Sequence, residues 1–325
     1  MAVRIGVLSV AHMHSHGYAH GLNAHPEAEL AGVWDDDNER GKKFADRYET
    51  DFFDDHEALL AQVDGVVITG ENKRHAETAE WAANAGKHIL CEKPLVTTEQ
   101  EGERMSEAVE KAGVRLMAAF PCRYSPAFQR LKERVKDGEI GRILAVCATN
   151  HGMCPFGWFV ETEKSGGGAM MDHTVHVADL LRDLLQSEPV EVYAQTGNKV
   201  YNEEWEDTAF LHVRFENGVF TTIDSSWSRP QSYKTWGDVR MNVVGEKGVI
   251  ELDMFAQAFD RYANGPARHS IASYGSDLDA GLIADFVRVV QTGEEPPITF
   301  HDGLQAARIA MAGYRSAGTN EPAPL

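Results

Sequence analysis

Three polar side chains have types and spacings suited to moving a proton at an alcohol oxygen. Asp172 and His176 are four residues apart, so they share one face if the segment is helical. A histidine titrates near neutrality and suits the role of general base, and a buried lysine such as Lys93 can hydrogen-bond a developing alkoxide. Each also has a structural interpretation: a helix N-cap for Asp172, a core histidine for His176 and a turn lysine for Lys93. The residue types alone leave both interpretations open.

The first loop has small residues and histidines where a dinucleotide-binding protein would carry glycines. The segment reads GVLSVAHMHSHGY (6–18), and alignment to the pattern GxGxxG puts Ser9, Ala11 and His14 at the glycine positions. Ser9 and Ala11 are small enough to let backbone N–H groups approach a pyrophosphate at a helix start. We therefore interpret the loop, with His12 and Met13, as an altered cofactor-binding turn.

The same histidines raise the alternative of a metal site. His12, His14 and His16 alternate, and His16 and His20 are one helical turn apart. No cysteine or nearby carboxylate completes a ligand set, and a change from extended to helical backbone would scatter the rings. We expect no metal here, and hydrogen bonds from one or two histidines to cofactor or substrate; partly exposed structural histidines are the alternative.

The first half of the chain alternates apolar runs with helical patterns. Strands are predicted at 3–10, 28–35, 64–70, 87–94 and 114–120, and helices at 13–24, 39–48, 75–86 and 98–113. This alternation predicts a doubly wound parallel sheet, an α/β Rossmann domain with helices on both faces. Ligands of such sheets bind at the carboxyl ends of the strands.

Asp35 ends the second predicted strand, 24 residues after Ala11. A carboxylate there bonds the adenosine ribose hydroxyls and repels a 2′-phosphate, which favours NAD over NADP. The acidic neighbours Asp36 and Asp37 point the same way. A plain surface acid is the alternative.

The pattern changes after residue 121. A helix at 125–137 and another near 172–185 are followed by strands in series, and the Asn217-Gly218 pair predicts a tight hairpin. We predict a dinucleotide-binding domain over residues 1–121 and a substrate-binding and oligomerisation domain over 122–325. The second is expected to be α+β, with a large, mostly antiparallel open sheet.

Charge and composition exclude several classes of partner. The 325 residues carry a formal net charge of −19, which argues against nucleic acid and anionic membranes. No stretch has the length of a membrane span or a signal peptide. The four cysteines form no CxxC pair, so reduced thiols in a cytoplasmic protein are expected.

Three segments together resemble the glucose–fructose oxidoreductase / inositol dehydrogenase / rhizopine catabolism (Gfo/Idh/MocA) family of NAD(P)-dependent oxidoreductases. They are ITGENKRHAETAEWAANAGKHILCEKPLVTT (68–98), FPCRYSPAFQRLKERVKDGEIGRI (120–143) and GGGAMMDHTVHVADLLRDLL (166–185). The family pattern is matched at Thr69, Asn72, His75, Glu92, Lys93, Pro94, Asp172 and His176. The resemblance implies that the cofactor is bound in part by Thr69, Asn72, His75, Glu92 and Lys93. The Ser/Ala/His loop and His173, where the family usually has a small residue, depart from it.

The resemblance implies hydride transfer between NAD and a secondary alcohol of a sugar, an inositol-like polyol or a related cyclic substrate. His176 is expected to be the acid/base, Lys93 to assist and Asp172 to orient. A cis peptide bond is expected at Lys93–Pro94, and Arg123 is expected to contact the cofactor. Substrate contacts are expected among His151, Trp158, His173 and Trp227. A homodimer or homotetramer is also implied.

Two other functions remain open from the sequence. The same site could recycle a tightly held NAD in a redox-neutral reaction on a sugar ring. The altered loop also permits a non-catalytic nucleotide sensor, against which the Lys93, Asp172 and His176 set argues.

Overall fold

A computed structural model gives the fold and describes residues 2–264, 267–273 and 275–325. The chain forms two compact units, each assembled from three segments. The first unit comprises Met1–Pro121, Gly157–Gly166 and Asp279–Arg308, and the second comprises Cys122–Phe156, Gly167–Leu278 and Ile309–Leu325. The division predicted from the sequence falls at the first of these limits. Two later segments nevertheless group with the first unit.

Five helices alternate with the strands through the first third of the chain, and five more are spread over the rest of the described residues. They are α1 (Ser15–Ala24), α2 (Asn38–Tyr48), α3 (His56–Leu60), α4 (His75–Asn84), α5 (Glu99–Ala112), α6 (Pro126–Lys136), α7 (Thr162–Ser165), α8 (Ala169–Leu185), α9 (Leu278–Thr292) and α10 (Phe300–Thr319). None of the helices in the described part of the chain has the length and apolar character to cross a membrane.

The first unit is built on a six-stranded parallel sheet. Its strands are β1 (Val3–Leu8), β2 (Ala28–Trp34), β3 (Phe52–Phe53), β4 (Gly65–Ile68), β5 (His88–Glu92) and β6 (Leu116–Ala119). They pair in the order β3-β2-β1-β4-β5-β6, and β4 and β6 are buried at every position. The strand order reverses between β1 and β4, where a crevice forms at the carboxyl ends. The predicted doubly wound sheet is confirmed.

Two short elements of this unit were not predicted. The strand β3 has two residues and the helix α3 has five, too few for a hydrophobic period to be visible. The last segment of the unit, 279–308, also joins the sheet, because the N–H of Ala118 donates to the carbonyl of Ile298 at 3.1 Å. Such a contact, about 180 residues apart in sequence, leaves no local sequence signal.

The second unit is built on a seven-stranded sheet. Its strands are β7 (Ile143–Gly152), β8 (Pro189–Gly197), β9 (Thr208–Phe215), β10 (Phe220–Ser226), β11 (Gly237–Gly245), β12 (Val249–Asp253) and β15 (Ala323–Pro324). They pair in the order β12-β11-β7-β10-β9-β8-β15, and only β10 with β7 is parallel among the described pairs. A separate hairpin pairs β13 (Ala258–Asn264) with β14 (Ala267–Ser273). The predicted large, mostly antiparallel sheet is confirmed.

One face of this sheet is covered and the other is open. Along β9, buried and exposed residues alternate, as expected when one face packs on a core. The covering element is α8, in which all residues except Asp183 are buried. The turn at Asn217-Gly218 joins β9 to β10 as predicted, with Gly218 at φ 85°.

Candidate active site

Ser9 forms the tight turn at the end of β1 with an unusual backbone conformation. It has φ 63°, a left-handed value that glycine adopts freely and other residues seldom adopt. Its N–H donates to the carbonyl of Trp34 at 2.7 Å, and its carbonyl accepts from Thr69 Oγ1 at 2.6 Å. The loop is therefore held from β2 and from the end of β4, and two predicted cofactor residues, Ser9 and Thr69, come together.

The carboxylate of Asp35 binds groups of this loop and of α2. Its carboxylate accepts hydrogen bonds from the N–H of Val10 at 2.6 Å and from Ser9 Oγ at 3.3 Å. It is 1% exposed and also receives Arg40, whose Nη2 lies 2.7 Å from Oδ1. Arg40 was not predicted at this site, although an arginine in the first turn of the helix after an acidic strand end was a usable signal.

Asp36, and not Asp35, presents a partly exposed carboxylate at this edge. Its side chain is 37% exposed and lies 2.8 Å from Arg40, and Arg74 contacts its second oxygen. Asp37 caps α2, because its side chain accepts from the N–H groups of Glu39 and Arg40. The three consecutive acids therefore differ in role: Asp35 holds the loop, Asp36 pairs with two arginines at the surface, and Asp37 caps α2.

Glu92, at the end of β5, is the centre of a buried polar cluster. His14 Nδ1 lies 3.2 Å from its Oε1, and the hydroxyl of Tyr18 donates to its Oε2 at 2.5 Å. Burial alone would raise the pKa of Glu92, but the charges of His14, His12 and Lys93 hold it well below its usual range. Tyr18 was missed from the sequence, although it is four residues after His14 on the same helix face.

His12, His14 and Glu92 are the one described group of three whose ligand-type atoms lie close enough for a metal, within 4.8 Å of one another. The hydrogen bonds oppose that use. His12 Nδ1 accepts the N–H of His14 at 3.1 Å, so a neutral ring carries its proton on Nε2, the remaining ligand atom. Both oxygens of Glu92 already accept hydrogen bonds.

Lys93 follows Glu92 at the carboxyl end of β5 and is 3% exposed. The Lys93–Pro94 peptide bond is cis, as the resemblance implies. The ring of His75 lies between two carbonyl oxygens, 2.9 Å from that of Pro94 and 3.2 Å from that of Gly70. Its burial lowers the pKa of His75. His75 thus fixes the turn after Lys93 to the end of β4.

The segment 157–166 packs onto the loop of the first unit. Trp158 donates its indole N–H to the carbonyl of Ala11 at 3.1 Å, and the ring of His12 packs edge-on against Phe159. Asn72 donates to the carbonyl of Ser165 at 2.8 Å. Trp158, expected to contact substrate, is thus attached to the cofactor loop.

In the second unit, Asp172 and His176 lie one turn apart on α8, with exposures of 7% and 4%. Asp172 is not the N-cap, because that position belongs to Gly168. Trp227 donates to Asp172 Oδ2 at 3.0 Å, and His173 Nε2 lies 3.2 Å from the same oxygen. Trp227 is fully buried, so no open ring face is available for a sugar to stack on.

Glu206 caps α8 from outside the helix. One of its oxygens accepts the N–H groups of Gly168 and Met170, at 2.8 and 3.2 Å, and the hydroxyl of Tyr314 at 2.5 Å. Burial raises the pKa of Glu206. Nothing in the sequence near Glu206 signalled these contacts, because Glu206 is 38 positions from Gly168 and 108 positions from Tyr314.

His151 lies on the open face of the sheet, whereas α8 packs on the other. Its Nε2 is 3.2 Å from Asp224 Oδ1 and its Nδ1 is 3.4 Å from Asp238 Oδ2, and Arg229 contacts Asp238 as well. Burial alone would lower the pKa of His151, but these two carboxylates raise it to about 9. Both ring nitrogens are thereby occupied, so the expected role of His151 at a substrate has no support from its contacts.

Arg123, expected at the cofactor, forms a two-point ion pair within the second unit. Its Nε and Nη2 donate to the buried Asp179 of α8 at 2.8 and 2.6 Å. A paired guanidinium and carboxylate of this geometry are strongly bound to one another. The contact orients Arg123 toward α8.

Comparison with known proteins decides the family. Residues 3–120 match the oxidoreductase family with an NAD-binding Rossmann fold, and residues 128–251 match the GFO/IDH/MocA C-terminal domain. YrbE, an uncharacterized oxidoreductase of Bacillus subtilis, is 30% identical over 92% of this chain and 90% of its own length. The chain belongs to the Gfo/Idh/MocA family.

Other family relatives extend the likeness to the whole chain. The myo-inositol 2-dehydrogenase of Thermotoga maritima is 28% identical over 97% of this chain and 96% of its own. The crystal structure of GenD2 from gentamicin A biosynthesis, in complex with NAD, has a TM-score of 0.91 at 24% identity, covering 100% of this chain and 96% of that one. At that identity, GenD2 supports the fold.

The Gfo/Idh/MocA loop of this chain fits a dinucleotide despite its missing glycines. Ser9 supplies the left-handed turn, and the N–H of Met13 makes no hydrogen bond within the described residues. A helix start with a free N–H favours an anion. Of the five loop residues expected at the cofactor, Ser9, Ala11, His12 and His14 donate their N–H groups to the Trp34 carbonyl, Ser9 Oγ, the Thr69 carbonyl and His12 Nδ1, which leaves the N–H of Met13 to meet a pyrophosphate.

Proposed function

We propose that this protein oxidises a secondary alcohol of a sugar or of an inositol-like polyol, with NAD as the hydride acceptor. The names of its relatives support this substrate class: they include the myo-inositol 2-dehydrogenase of Thermotoga maritima and the scyllo-inositol 2-dehydrogenase of Bacillus subtilis. The observation that carries the proposal is the burial of Lys93, Asp172 and His176, three polar residues in the family positions.

Alcohol oxidation needs a group that accepts the hydroxyl proton while hydride leaves from carbon. When bound, NAD supplies the hydride acceptor. We assign proton transfer to His176, with Lys93 hydrogen-bonding the oxygen as negative charge develops on it. Asp172, already held by Trp227 and next to His173, is assigned to orienting the substrate.

The test is absorbance at the NADH band when purified protein is mixed with NAD and a panel of sugars, inositols and other polyols. Lys93→Ala is measured beside Lys111→Ala, which removes an exposed lysine at the end of α5. A rise that Lys93→Ala loses and Lys111→Ala keeps supports the proposal. A rise that survives in Lys93→Ala contradicts the assignment of Lys93.

NAD retained through purification without net NADH formation would contradict net dehydrogenation and favour the redox-neutral alternative. Absence of both bound NAD and turnover would favour the nucleotide sensor. Neither alternative has a feature of the described residues in its favour beyond the altered loop.

We further propose that the chain self-associates through the open face of its second sheet. Phe210 and Phe220 are 51% and 50% exposed on neighbouring strands of that face, and exposed aromatic groups of this kind mark interfaces. Light scattering after size-exclusion chromatography should give a dimer or tetramer. Phe210→Glu should lower the mass, and an unchanged mass would contradict this surface.

A further inference from the structure

His14 occupies the third glycine position of the nucleotide pattern, yet its side chain is neither small nor apolar. It reaches from the N-cap position of α1 to the end of β5, where Nδ1 lies 3.2 Å from the buried Glu92. About a third of the side chain, 33%, stays exposed. Because Nδ1 faces Glu92, Nε2 is the nitrogen through which the ring can donate to a ligand.

The surroundings of His14 favour its charged form. Burial lowers the pKa of His14, but the charge of Glu92 and the hydrogen bond to it outweigh burial and raise the pKa above its ordinary value. Titratable groups face the ring from four elements: His12 and Tyr18 beside it, Glu92 and Lys93 at the end of β5, and Asp279 at the start of α9. Lys93 opposes the charge and Asp279 supports it.

A positive charge on His14 compensates for the small number of backbone N–H donors that the altered loop offers to a pyrophosphate. In a glycine-rich loop, several backbone N–H groups converge on the pyrophosphate. Here the N–H of Val10 is taken by Asp35, and that of His12 by the carbonyl of Thr69. Few backbone donors remain, and α1 has no basic residue other than its histidines.

We propose that the His14 imidazolium, held by Glu92, donates from Nε2 to the pyrophosphate of NAD, so that NAD affinity depends on the protonation of this one ring. The inference rests on NAD binding at the β1–α1 loop. Glu92 is the positioning residue, since it holds the ring and its charge without needing to touch the cofactor. Affinity is then full while His14 is protonated and falls as pH rises through its pKa.

The experiment measures the dissociation constants of NAD, ADP-ribose and adenosine by calorimetry from about pH 6 to about pH 10. His14→Gln keeps a donor and removes the charge, and His20→Gln, on the exposed side of the same helix, is its matched control. At low pH, His14→Gln should weaken NAD and ADP-ribose about tenfold and leave adenosine, which has no phosphate, unchanged. His20→Gln should change none of them.

Glu92→Gln removes the charge that holds the proton, so the pH midpoint of NAD affinity should move to lower pH. The wild-type protein offers an independent measurement: the His14 ring, followed by NMR, should show a higher pKa when saturated with NAD than without it, by linkage. An unchanged pKa overturns the proposal even if the variants fail to fold.

The outcomes separate the two levels of inference. Equal weakening of adenosine and NAD in His14→Gln would mean general damage to the loop and would overturn the role of the charge, as would NAD affinity that is flat with pH. Failure of the wild-type protein to bind NAD at any pH would overturn the cofactor assignment itself.

Discussion

The indole N–H of Trp227, the residue after β10, donates at 3.0 Å to Oδ2 of Asp172 at the start of α8. Trp227→Phe keeps an aromatic ring and removes the donor. The free energy of unfolding should fall by about 1–3 kcal/mol, because a buried carboxylate oxygen loses a hydrogen bond. Urea unfolding measures this, with Trp236→Phe, at a residue 48% exposed, as the control. Equal small changes in both would show that the bond contributes nothing measurable.

The backbone conformation of Ser9 lowers the stability of the fold, whereas the hydrogen bond of its side chain raises it. Its φ of 63° is unfavourable for serine by about 1 kcal/mol relative to glycine, whereas its hydroxyl bonds Asp35. Ser9→Ala keeps the cost and loses the bond, so it should destabilise by about 1 kcal/mol. Ser9→Gly loses both and should lie near the wild type. The order of the two midpoints in thermal unfolding tests this, and Ala above Gly would refute it.

Asp36 is expected to discriminate against NADP. It pairs with Arg40 and Arg74, and its removal would take one carboxylate from each, leaving Arg40 on Asp35 and Arg74 on Glu77. Guanidinium groups bind phosphate well, so this edge would repel a 2′-phosphate less. Asp36→Asn should raise NADP affinity relative to NAD by about tenfold. Asp46→Asn, on the exposed surface of α2, is the control in the same binding titration. If Asp36→Asn leaves the ratio of the two affinities unchanged, Asp36 is not the determinant.

His151 should make stability depend on pH. Its pKa is raised from 6.5 to about 9, so its ion pairs stabilise the folded state fully below about pH 6.5, and this contribution is lost as pH rises through about 9. With solvent screening, the loss should be on the order of 1–2 kcal/mol. His151→Gln should unfold with a flatter pH dependence over this window. Parallel curves for the two proteins would contradict the prediction.

The start of α8 should tolerate no side chain at residue 168. A Cβ on Gly168 would overlap the backbone carbonyl oxygen of Glu206, whereas one on Gly318 meets nothing within 4 Å. Gly168→Ala should therefore destabilise by about 2 kcal/mol or more. Gly318→Ala, inside α10, should be neutral or slightly stabilising. Comparable unfolding midpoints for both variants would remove the steric argument.

The strands and helices that the sequence predicted well are those whose hydrophobic pattern lies within one continuous segment. The predicted strand at 64–70 contains β4, and the helix predicted near 172–185 lies within α8. The acidic strand end at Asp35 was also found, but its occupation by Val10, Ser9 and Arg40 was not. Secondary-structure propensity does not show which hydrogen-bond donors will surround a carboxylate in the folded protein.

Contacts between residues from distant segments of the chain could not be predicted from the sequence. Glu206 and Tyr314 cap a helix whose own N-cap is a glycine. His151 shows the same dependence on other segments of the chain. Its type suggested a polar contact with substrate, while the strand alternation of β7 turns it to the open face. Assigning that face required the partner strands to be known.

The interleaving of the two units in sequence has a practical consequence for recombining parts of such proteins. A chimera joined at residues 121 and 122 would separate β6 from the segment 279–308 that bonds to it. The N-terminal half would lack two segments of the first unit, and the C-terminal half would carry those two segments without the rest of that unit. An exchange that preserves both units needs crossovers at five places, one at every limit between their six segments.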